Sequence, residues 1–424
     1  MAVASQSVSR RQLLKTAAQA GALAMAPQII PGSALGKNGA VPPSDRIVLA
    51  GLGIGPRGAE DLRSFLNEPD VQFVAVCDLR AERREAVKKM ADERYGNHAC
   101  ATYADMFELL ARSDIDAVLI ATGDRWHTLA SILTAQAGKD MYCEKPCSMT
   151  IAESRALAQV IRRYGRVYQA GTQRRNIPNF VLARELARSG KLGRLQTLHA
   201  NTLDPKVTHN WLPAQPEPPQ DVADWDRWLG PCPWRPYNSE YVRGRWRGYF
   251  DFHGGGILEW GSHTVDLCQW AAGADNTAPV EYEPQGNHVI CRYANGVKLV
   301  MRDTGWMGLG TCSVRYEGDS GWIETGDTGK IALSENLRSE HREVTEKGTD
   351  PTRHVRDFLN CVKSRQAPRS NAEAAAQAHV ACHAAYISWQ LGRKLTFDPV
   401  KEEFAGDAEA NRMRSRAIRE PWRI

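Results

Sequence analysis

The sequence predicts a protein of two domains: an α/β domain with a parallel sheet over residues 46–170, followed by an α+β domain with a largely antiparallel sheet over residues 171–424. A chain of 424 residues is too long for one ordinary hydrophobic core. Strand-like and helical segments alternate in its first part, and hairpin signals replace that alternation in the second. With 42% apolar and 24% charged residues, the composition is typical of globular proteins and excludes disordered or collagen-like classes.

The first 36 residues are predicted to be an export signal, and residues 37–45 a linker. Arg10 and Arg11 precede a mildly apolar stretch of small residues that is too short to span a bilayer. This leader resembles a twin-arginine signal, which predicts an exported, periplasmic protein without stable membrane insertion. Loss of its three positive charges would lower the net charge from +5 to about +2, so the charge gives no reason to expect a nucleic acid as partner.

A glycine-rich turn follows the first predicted strand, residues 46–50, and precedes a helix that runs to about Leu66. Its glycines fit the pattern G-x-G-x-x-G and are Gly53, Gly55 and Gly58. Glycines with this spacing between a strand and a helix allow the backbone to approach a pyrophosphate at the helix N-terminus. The turn therefore predicts a Rossmann domain that binds a dinucleotide.

The next strand, residues 72–77, is predicted to end at Asp78, about twenty residues beyond the glycine turn. A carboxylate at this place can accept hydrogen bonds from the adenosine ribose and repels a 2′-phosphate. Arg80, two residues on, could favour a phosphate instead. We therefore expect NAD as the cofactor and consider NADP less favoured.

The remaining elements of the two domains follow from apolar runs and turn residues. In the first domain they are helices at 104–111, 128–137 and 152–164 and strands at 117–121, 140–143 and 167–171. A helix from residue 179 opens the second domain, whose predicted strands are 195–201, 289–293, 297–303, 312–317 and 321–324. Turns such as Ala294-Asn295-Gly296 favour hairpins between these strands. Two amphipathic helices follow at 354–364 and 371–391.

Two motifs carry the chemistry predicted for this chain. The first is Glu144-Lys145-Pro146, directly after a strand of the first domain. The second is the run from Gly254 to Asp266, which places Glu259 and His263 four residues apart on one face of a helix. The chain resembles the Gfo/Idh/MocA family of sugar and cyclitol dehydrogenases in its Glu-Lys-Pro motif and in an Asp-x-x-x-His pair, here with Glu259 in place of the aspartate.

This resemblance implies that Lys145, Glu259 and His263 meet at the nicotinamide as catalytic residues. An alcohol oxidation needs a base for the hydroxyl proton while hydride leaves the carbon, and histidine titrates near neutrality. His263 is thus the predicted base, and the Lys145 ammonium would stabilise the developing alkoxide. Glu259 could orient the imidazole, bind a neighbouring hydroxyl or turn to a partner such as Arg245.

Further site residues follow from the resemblance. Thr122 and His127, between a strand and a helix, are similar to the family's Thr-Pro-x-x-x-His stretch, with Gly123 in place of the proline, and are expected beside the cofactor. His127 could equally cap the helix. The other residues that the resemblance assigns to the cofactor or, more weakly, to the substrate are Glu144, Lys145, Gln173 and Arg174.

Residues 202–249 are rich in proline and tryptophan, with arginines among them. Aromatic rings stack on sugar C–H faces and arginines bind hydroxyls or carboxylates, so this segment is the predicted substrate wall. The ten cysteines form no Cys-x-x-Cys pair, and no histidine pair completes a ligand pattern near Cys143 and Cys147, so we expect free thiols and no metal site. The arginine-rich tail from Asn411 is expected to dock on the protein, because acidic residues offset its charge.

Together these features predict an exported NAD-dependent oxidoreductase that transfers hydride between a sugar or cyclitol hydroxyl and a tightly held cofactor. A redox-neutral, NAD-dependent glycosidase or lyase of the same fold would use the same Lys145 and His263, so that alternative stays open. Free nicotinamide cofactor is scarce outside the cytoplasm, which shifts weight towards the alternative. A binding or scaffold protein would leave Lys145 and His263 idle. The resemblance further implies a homo-oligomer formed through the C-terminal sheet.

Overall fold

The computed structural model describes residues 41–206 and 210–424. The predicted export signal, residues 1–36, and the beginning of the predicted linker lie outside the described residues. Pro43–Asp45 form a single turn of 3-10 helix. Within the described part of the chain, none of the helices combines the length and the apolar character that a membrane span requires.

The first sheet is parallel and has six strands with helices between them. The strands are β1 (Ile47–Leu52), β2 (Val71–Cys77), β3 (Ala101–Tyr103), β4 (Ala117–Ile120), β5 (Asp140–Cys143) and β6 (Tyr168–Ala170). The helices are α1 (Pro56–Asn67), α2 (Ala81–Tyr95), α3 (Met106–Leu110), α4 (Asp124–Gln136) and α5 (Ile151–Tyr164). In the order β3-β2-β1-β4-β5-β6 the winding reverses between β1 and β4, so a crevice opens at the carboxyl ends of these two strands.

The second sheet has nine strands and is mixed. Helix α6 (Pro178–Arg188) leads into it. Its strands are β7 (Leu195–Asn201), β8 (Glu281–Gln285), β9 (His288–Arg292), β10 (Lys298–Arg302), β11 (Val314–Gly318), β12 (Trp322–Thr325), β13 (Ile331–Leu333), β14 (Leu395–Asp398) and β15 (Glu403–Phe404), in the order β13-β12-β11-β7-β10-β9-β8-β14-β15. Strands β7 and β10 pair in parallel, and the other pairs described in this sheet are antiparallel. The predicted fold class, a Rossmann domain followed by a domain with a largely antiparallel sheet, is confirmed.

One helix beside the second sheet carries both Glu259 and His263. The remaining helices are α7 (Trp225–Leu229), α8 (Gly255–Ala272), α9 (Thr352–Ser364), α10 (Ala372–Leu391) and α11 (Ala408–Arg412). Apolar residues of α8 share one hydrophobic core with the second sheet and with α10. Arg175, which follows β6, joins Asp266 of α8 in a buried ion pair, with nitrogen–oxygen distances of 2.7 and 2.8 Å. These contacts fix which face of α8 is turned towards the Rossmann domain.

The observed elements differ from the predicted ones in two respects. Helix α4 begins at Asp124 and not at residue 128, because its polar first turn is buried and gives no apolar periodicity. Helices α2, α7 and α11 and strands β3, β8, β13, β14 and β15 were not predicted. In α2 the buried residues are only Val87, Ala91 and Asp92, so the helix lacks the apolar stripe from which a sequence pattern predicts a helix.

The C-terminal tail docks on the protein, as its charge balance predicts. Arg416 forms an ion pair with Glu153 of α5 at 2.7 Å. Trp422 stacks on Phe107, with 6.4 Å between the ring centres and an angle of 2° between the ring planes, and meets the edge of Trp126 at 4.9 Å. The tail thereby reaches the helices that border the crevice of the first sheet.

Candidate active site

A cavity of about 450 Å³ opens at the carboxyl ends of β1, β2 and β4. The predicted residues that line it are Gly53, Gly55, Gly58, Asp78 and Thr122. Gly53 has a φ of +66°, and a Cβ there would lie 2.5 Å from Thr122 Cγ2. A Cβ on Gly55 would meet nothing within 4 Å, so this residue faces open space at the N-terminus of α1. The turn thus leaves room for the pyrophosphate of a dinucleotide beside the first amides of a helix.

Asp78 lies at the end of β2, half-buried at the rim of the cavity. Its Oδ1 accepts a hydrogen bond from the backbone N–H of Arg80 at 2.9 Å, and its Oδ2 accepts none from the described residues. Burial raises the pKa of Asp78, so donors such as ribose hydroxyls would stabilise the charged carboxylate. The Arg80 guanidinium pairs with Glu82 and donates to the Val242 carbonyl at 3.0 Å, which occupies two of the donors that a 2′-phosphate would need.

A stretch of the second domain, residues 222–247, lies over the cavity, and we call it the cover segment. Trp126 Nε1 donates to the Arg227 carbonyl at 3.0 Å, and Arg125 Nε donates to the Trp228 carbonyl at 2.6 Å. The Arg125 guanidinium also lies 3.4 Å from the centre of the Trp228 ring. The residues of the cover segment that line the cavity are Arg227, Trp228, Val242, Arg243, Gly244, Trp246 and Arg247.

The cover segment is part of residues 202–249, the predicted substrate wall. Its Trp228 and Trp246 line the same cavity as the glycine turn and Asp78, and contact of this segment with a substrate stays a prediction. Trp225 is buried in an aromatic cluster, stacked on Trp228 at 4.7 Å between the ring centres. Packing of residues 227 and 228 against helix α4 holds the cover segment on the Rossmann domain, so Trp228 and Trp246 border the place for the cofactor.

Glu144 is buried below the glycine turn and does not line the cavity. Arg57, which does line it, lies 3.5 Å from Glu144 and 2.6 Å from the buried Asp61. Burial, followed by the Glu144 charge, raises the pKa of Asp61 well above its ordinary value. With the amide of Gln173 assigned so that both of its polar atoms have partners, its nitrogen donates to the Gly171 carbonyl at 2.8 Å and its oxygen accepts from Arg57 at 3.0 Å. Glu144 and Gln173 therefore act on the cavity through Arg57, a residue that the motifs did not reveal.

His127 lies inside α4 and not in the loop where it was predicted. It is buried, with Nδ1 2.7 Å from the Pro146 carbonyl and Nε2 3.0 Å from the Thr122 carbonyl. Both ring nitrogens are thus engaged by backbone oxygens. His127 links the loop after β4 to the loop that carries Lys145, and it does not line the cofactor cavity.

Lys145 and Glu259 form a close ion pair between the two domains of the fold. Lys145 Nζ lies 3.0 Å from Glu259 Oε1 and donates to the Glu259 carbonyl at 3.1 Å. Both side chains are largely buried, with 17% and 18% of their surfaces exposed. Burial opposes ionisation of Glu259, but the Lys145 charge and a hydrogen bond from His253 outweigh it and hold the pKa of this carboxyl well below its usual range. Arg245, the other suggested partner, lies instead 4.0 Å from Glu240.

His263 lies one turn after Glu259 on α8, but no hydrogen bond joins the two side chains in the described structure. Its Nδ1 is buried and has no hydrogen-bond partner among the described residues. Burial, and then the positive charges of Arg174, Lys145 and Arg57, hold the pKa of His263 well below its ordinary value. The imidazole is therefore neutral, with a ring nitrogen available to a ligand.

Arg174 is predicted to approach the substrate, and the structure engages most of its donors elsewhere. Its Nε and Nη2 each lie 2.7 Å from a carboxylate oxygen of Asp327, in a buried bidentate pair. Its Nη1 has no partner among the described residues. Arg174 thus acts on the site by its charge near His263 and by one free nitrogen.

His253 is a site residue that the sequence did not reveal. Its Nε2 lies 2.9 Å from Glu259 Oε2 and 4.0 Å from Asp124 Oδ2. It lies six positions before Glu259 and precedes α8, so no helical spacing connects the two. Burial, and the nearby Glu259 charge, raise the pKa of Asp124, although His253 opposes this shift.

The three side chains Asp124, His253 and Glu259 offer ligand atoms within 4.8 Å of one another, a spacing that could hold a metal ion. The hydrogen bonds of His253 do not fit that use. Its Nδ1 accepts from the backbone N–H groups of Gly248 at 3.3 Å and Gly255 at 3.2 Å, so the ring proton resides on Nε2. A metal on Nε2 would move that proton to Nδ1, where it would face two donors.

The fold and the cavity define a two-domain protein with a place for a dinucleotide over a Rossmann sheet, and with a lysine, a carboxylate and a histidine where the domains meet. The chain belongs to the Gfo/Idh/MocA oxidoreductase family. The family's NAD-binding Rossmann fold matches residues 46–172, and its C-terminal alpha/beta domain matches residues 203–424.

Individual relatives support this assignment. Inositol 2-dehydrogenase 1 of Saccharopolyspora erythraea is 29% identical over 196 residues, which cover 45% of this chain and 55% of the relative. Glycosyl hydrolase family 109 protein 1 of a Shewanella species is 32% identical over 146 residues, covering 33% and 32%. The chain spans about half the length of the curated relatives it matches. The crystal structure of myo-inositol 2-dehydrogenase from Lactobacillus plantarum has the same fold, with a TM-score of 0.61 and 19% identity over 83% of this chain and 100% of the other.

Proposed function

We propose that the protein transfers hydride between a CH–OH group of a sugar or cyclitol and a nicotinamide dinucleotide. The single observation that carries this proposal is the placement of the Lys145–Glu259 ion pair and the neutral His263 at one site where the two domains meet. This set supplies a cation for a developing alkoxide and an unprotonated base for a hydroxyl proton.

Each residue has a distinct role in the proposed oxidation. His263 takes the hydroxyl proton on a free ring nitrogen, because burial and neighbouring cations keep it unprotonated. Two N–H groups of Lys145 are held by Glu259, and the third remains for the substrate oxygen, whose negative charge it stabilises. The nicotinamide, when bound, accepts the hydride that leaves the same carbon.

We propose NAD as the cofactor, with NADP less favoured. The open Oδ2 of Asp78 suits ribose hydroxyls and repels a 2′-phosphate, and Arg80 is turned to Glu82 and the cover segment. Arg83 also lines the cavity as a positive charge, so we expect the preference for NAD over NADP to be moderate and not absolute.

We also propose that the cofactor is held tightly. The cover segment and Trp422 both line the cavity, so a bound dinucleotide would leave only after contacts with helices α3 and α4 open. A retained cofactor suits an exported enzyme that folds in the cytoplasm and is then carried, loaded, to the periplasm by the twin-arginine route. A homo-oligomer formed through the second sheet belongs to the same proposal and rests on family resemblance.

The test uses the purified protein without added cofactor. We expect the absorbance of reduced nicotinamide to rise in proportion to the protein when myo-inositol or glucose is added, and Lys145→Ala to abolish this change while the fold and the bound cofactor persist. A folded Lys145→Ala variant with normal turnover would remove Lys145 from the mechanism. An unchanged spectrum with every sugar and cyclitol tried, in protein that contains cofactor, would contradict hydride transfer.

A second candidate function is a redox-neutral glycosidase or lyase, and the similarity to a glycosyl hydrolase family 109 protein favours it. In that reaction a ring carbon would give up hydride to the nicotinamide, the hydrogen on the neighbouring carbon would become acidic, and elimination would release the aglycone. Return of the hydride then restores the cofactor, and addition of water completes hydrolysis in a glycosidase, whereas a lyase leaves the double bond. Incubation with p-nitrophenyl glycosides in deuterated water distinguishes the two functions. Released aglycone together with deuterium on the carbon beside the oxidised one supports the glycosidase, whereas a keto-sugar without release or exchange supports the dehydrogenase.

A further inference from the structure

His253 is held on both sides of its ring. Its Nδ1 accepts from the backbone N–H groups of Gly248 and Gly255, and the opposite nitrogen, Nε2, donates its proton to Glu259 Oε2 at 2.9 Å. The side chain is 7% exposed, so water does not compete for these bonds. The ring therefore has one tautomer and one orientation, and the atom it directs at the site is a donor.

The Nε2–H group of His253 fixes the position of the second carboxylate oxygen of Glu259. Oε2 is held by His253 while Oε1 receives Lys145 Nζ at 3.0 Å. Lys145 also donates to the backbone carbonyl of Glu259 at 3.1 Å, so it can keep both bonds at once only while the Glu259 side chain holds Oε1 in this rotamer. Without His253, Oε2 would lack its partner and the carboxylate could turn away from Lys145.

We propose that His253 is a positioning residue for hydride transfer: it clamps Glu259 so that Lys145 presents one free N–H to the substrate oxygen. This inference rests on the proposed function, although the clamp itself can be measured without a substrate. His253 does not carry a proton through the site, because its Nδ1 faces two donors and cannot accept or release a proton there without losing them. It also differs from the family's Asp-x-x-x-His pair, since the carboxylate here is held by a histidine outside α8.

Two conservative variants test the hydrogen bonds of the two ring nitrogens of His253 separately. His253→Gln keeps a side-chain N–H near the place of Nε2 but loses the acceptor for Gly248 and Gly255. His253→Asn keeps an acceptor near the place of Nδ1 but loses the donor to Glu259. We expect kcat to fall about 10- to 100-fold in His253→Asn with KM little changed, and to fall clearly less in His253→Gln. His341→Asn, at an exposed histidine, is the matched control.

The second readout needs no substrate. Lys145 is acetylated with acetic anhydride at neutral pH, and its modification rate is measured by mass spectrometry relative to the exposed Lys89. An amine held in an ion pair by a fixed carboxylate reacts slowly, so we expect slow labelling in the natural protein and in His253→Gln and faster labelling in His253→Asn.

The outcomes are distinguishable. If His253 only braces the backbone, His253→Asn will keep both kcat and slow labelling while His253→Gln loses them, and the proposal is overturned. If the natural protein shows no hydride transfer, the labelling rates still decide whether His253 positions Glu259 and Lys145. Equal labelling of Lys145 in all four proteins would show that the clamp does not exist.

Discussion

Gly55→Ala should weaken cofactor binding strongly without destabilising the fold. Gly55 precedes α1 with φ −82° and ψ −164°, an extended conformation open to alanine, and the added methyl group would meet no protein atom within 4 Å. Replacing glycine by alanine lowers the entropy of the unfolded chain, which stabilises the variant by about 0.4–1 kcal/mol. Alanine is also a poorer helix cap than glycine, and this costs about as much. The methyl group instead enters the space where a pyrophosphate would meet the first amides of α1. Loss of one hydrogen bond to a charged group costs about 1.5–3 kcal/mol, or roughly a 10- to 150-fold weaker Kd.

Gly58→Ala is the matched control, for which we expect a loss of fold stability. A Cβ at Gly58 would lie 2.6 Å from the Cβ of Ala121, so helix α1 and the end of β4 must move apart. Overpacking of this kind costs about 1–3 kcal/mol, and better helix propensity returns about 1 kcal/mol. Isothermal titration with NAD gives the affinities, and urea unfolding of the cofactor-free proteins gives the stabilities. Unchanged NAD affinity in Gly55→Ala would refute the placement of the pyrophosphate. A large loss of stability in that variant would refute the conclusion that a methyl group at residue 55 meets no protein atom.

Further predictions concern the cofactor, the site and export. Asp78→Ala should weaken NAD binding by about 1.5–3 kcal/mol and reduce the preference for NAD over NADP, as measured by titration with each cofactor. If the variant and the natural protein bind NAD with equal affinity, the ribose lies elsewhere. Trp422→Ala removes two aromatic contacts of about 0.5–1.5 kcal/mol each, so NAD should leave several-fold faster in a stopped-flow chase, and an unchanged rate would show that the tail does not retain it. Because the pKa of His263 is lowered, its base form persists as the pH falls from 7 to 6, so kcat should hold in that range; a loss centred near pH 6.5 would contradict a neutral buried base. Replacing Arg10 and Arg11 by lysine should leave full-length protein in the cytoplasm on fractionation, whereas normal processing would point to another route.

The sequence predicts the fold well where local rules act. The glycine turn, the acidic end of β2 and the alternation of strands and helices each follow from backbone freedom, ribose chemistry or apolar periodicity. Where burial is set by distant packing, prediction fails. Helix α2 has a mostly charged surface without an apolar stripe, so no sequence pattern predicted it. The polar first turn of α4 is buried because the cover segment packs on it, and no pattern around Asp124 reveals that contact.

The same division applies to the site. Lys145, Glu259 and His263 could be found because motifs and helical spacing connect them with a known chemistry. Arg57 and His253 could not, because their partners lie in other elements: Arg57 meets Glu144 after β5, and His253 meets Glu259 from the loop before α8. Only the assembled tertiary structure brings these atoms within hydrogen-bond distance.

The replacement of the family's aspartate by Glu259 gains a physical meaning from these contacts. The extra methylene lets the carboxylate span Lys145 on one oxygen and His253 on the other, while Nδ1 of His263 keeps no partner among the described residues. The negative charge thereby lies against the lysine ammonium, and no hydrogen bond among the described residues joins it to the imidazole of His263. His263 instead owes its neutral state to burial and to the charges of Arg174, Lys145 and Arg57. In the proposed mechanism the carboxylate and the base therefore have separate roles: Glu259 positions the cation that would meet the substrate oxygen, and His263 would accept the proton.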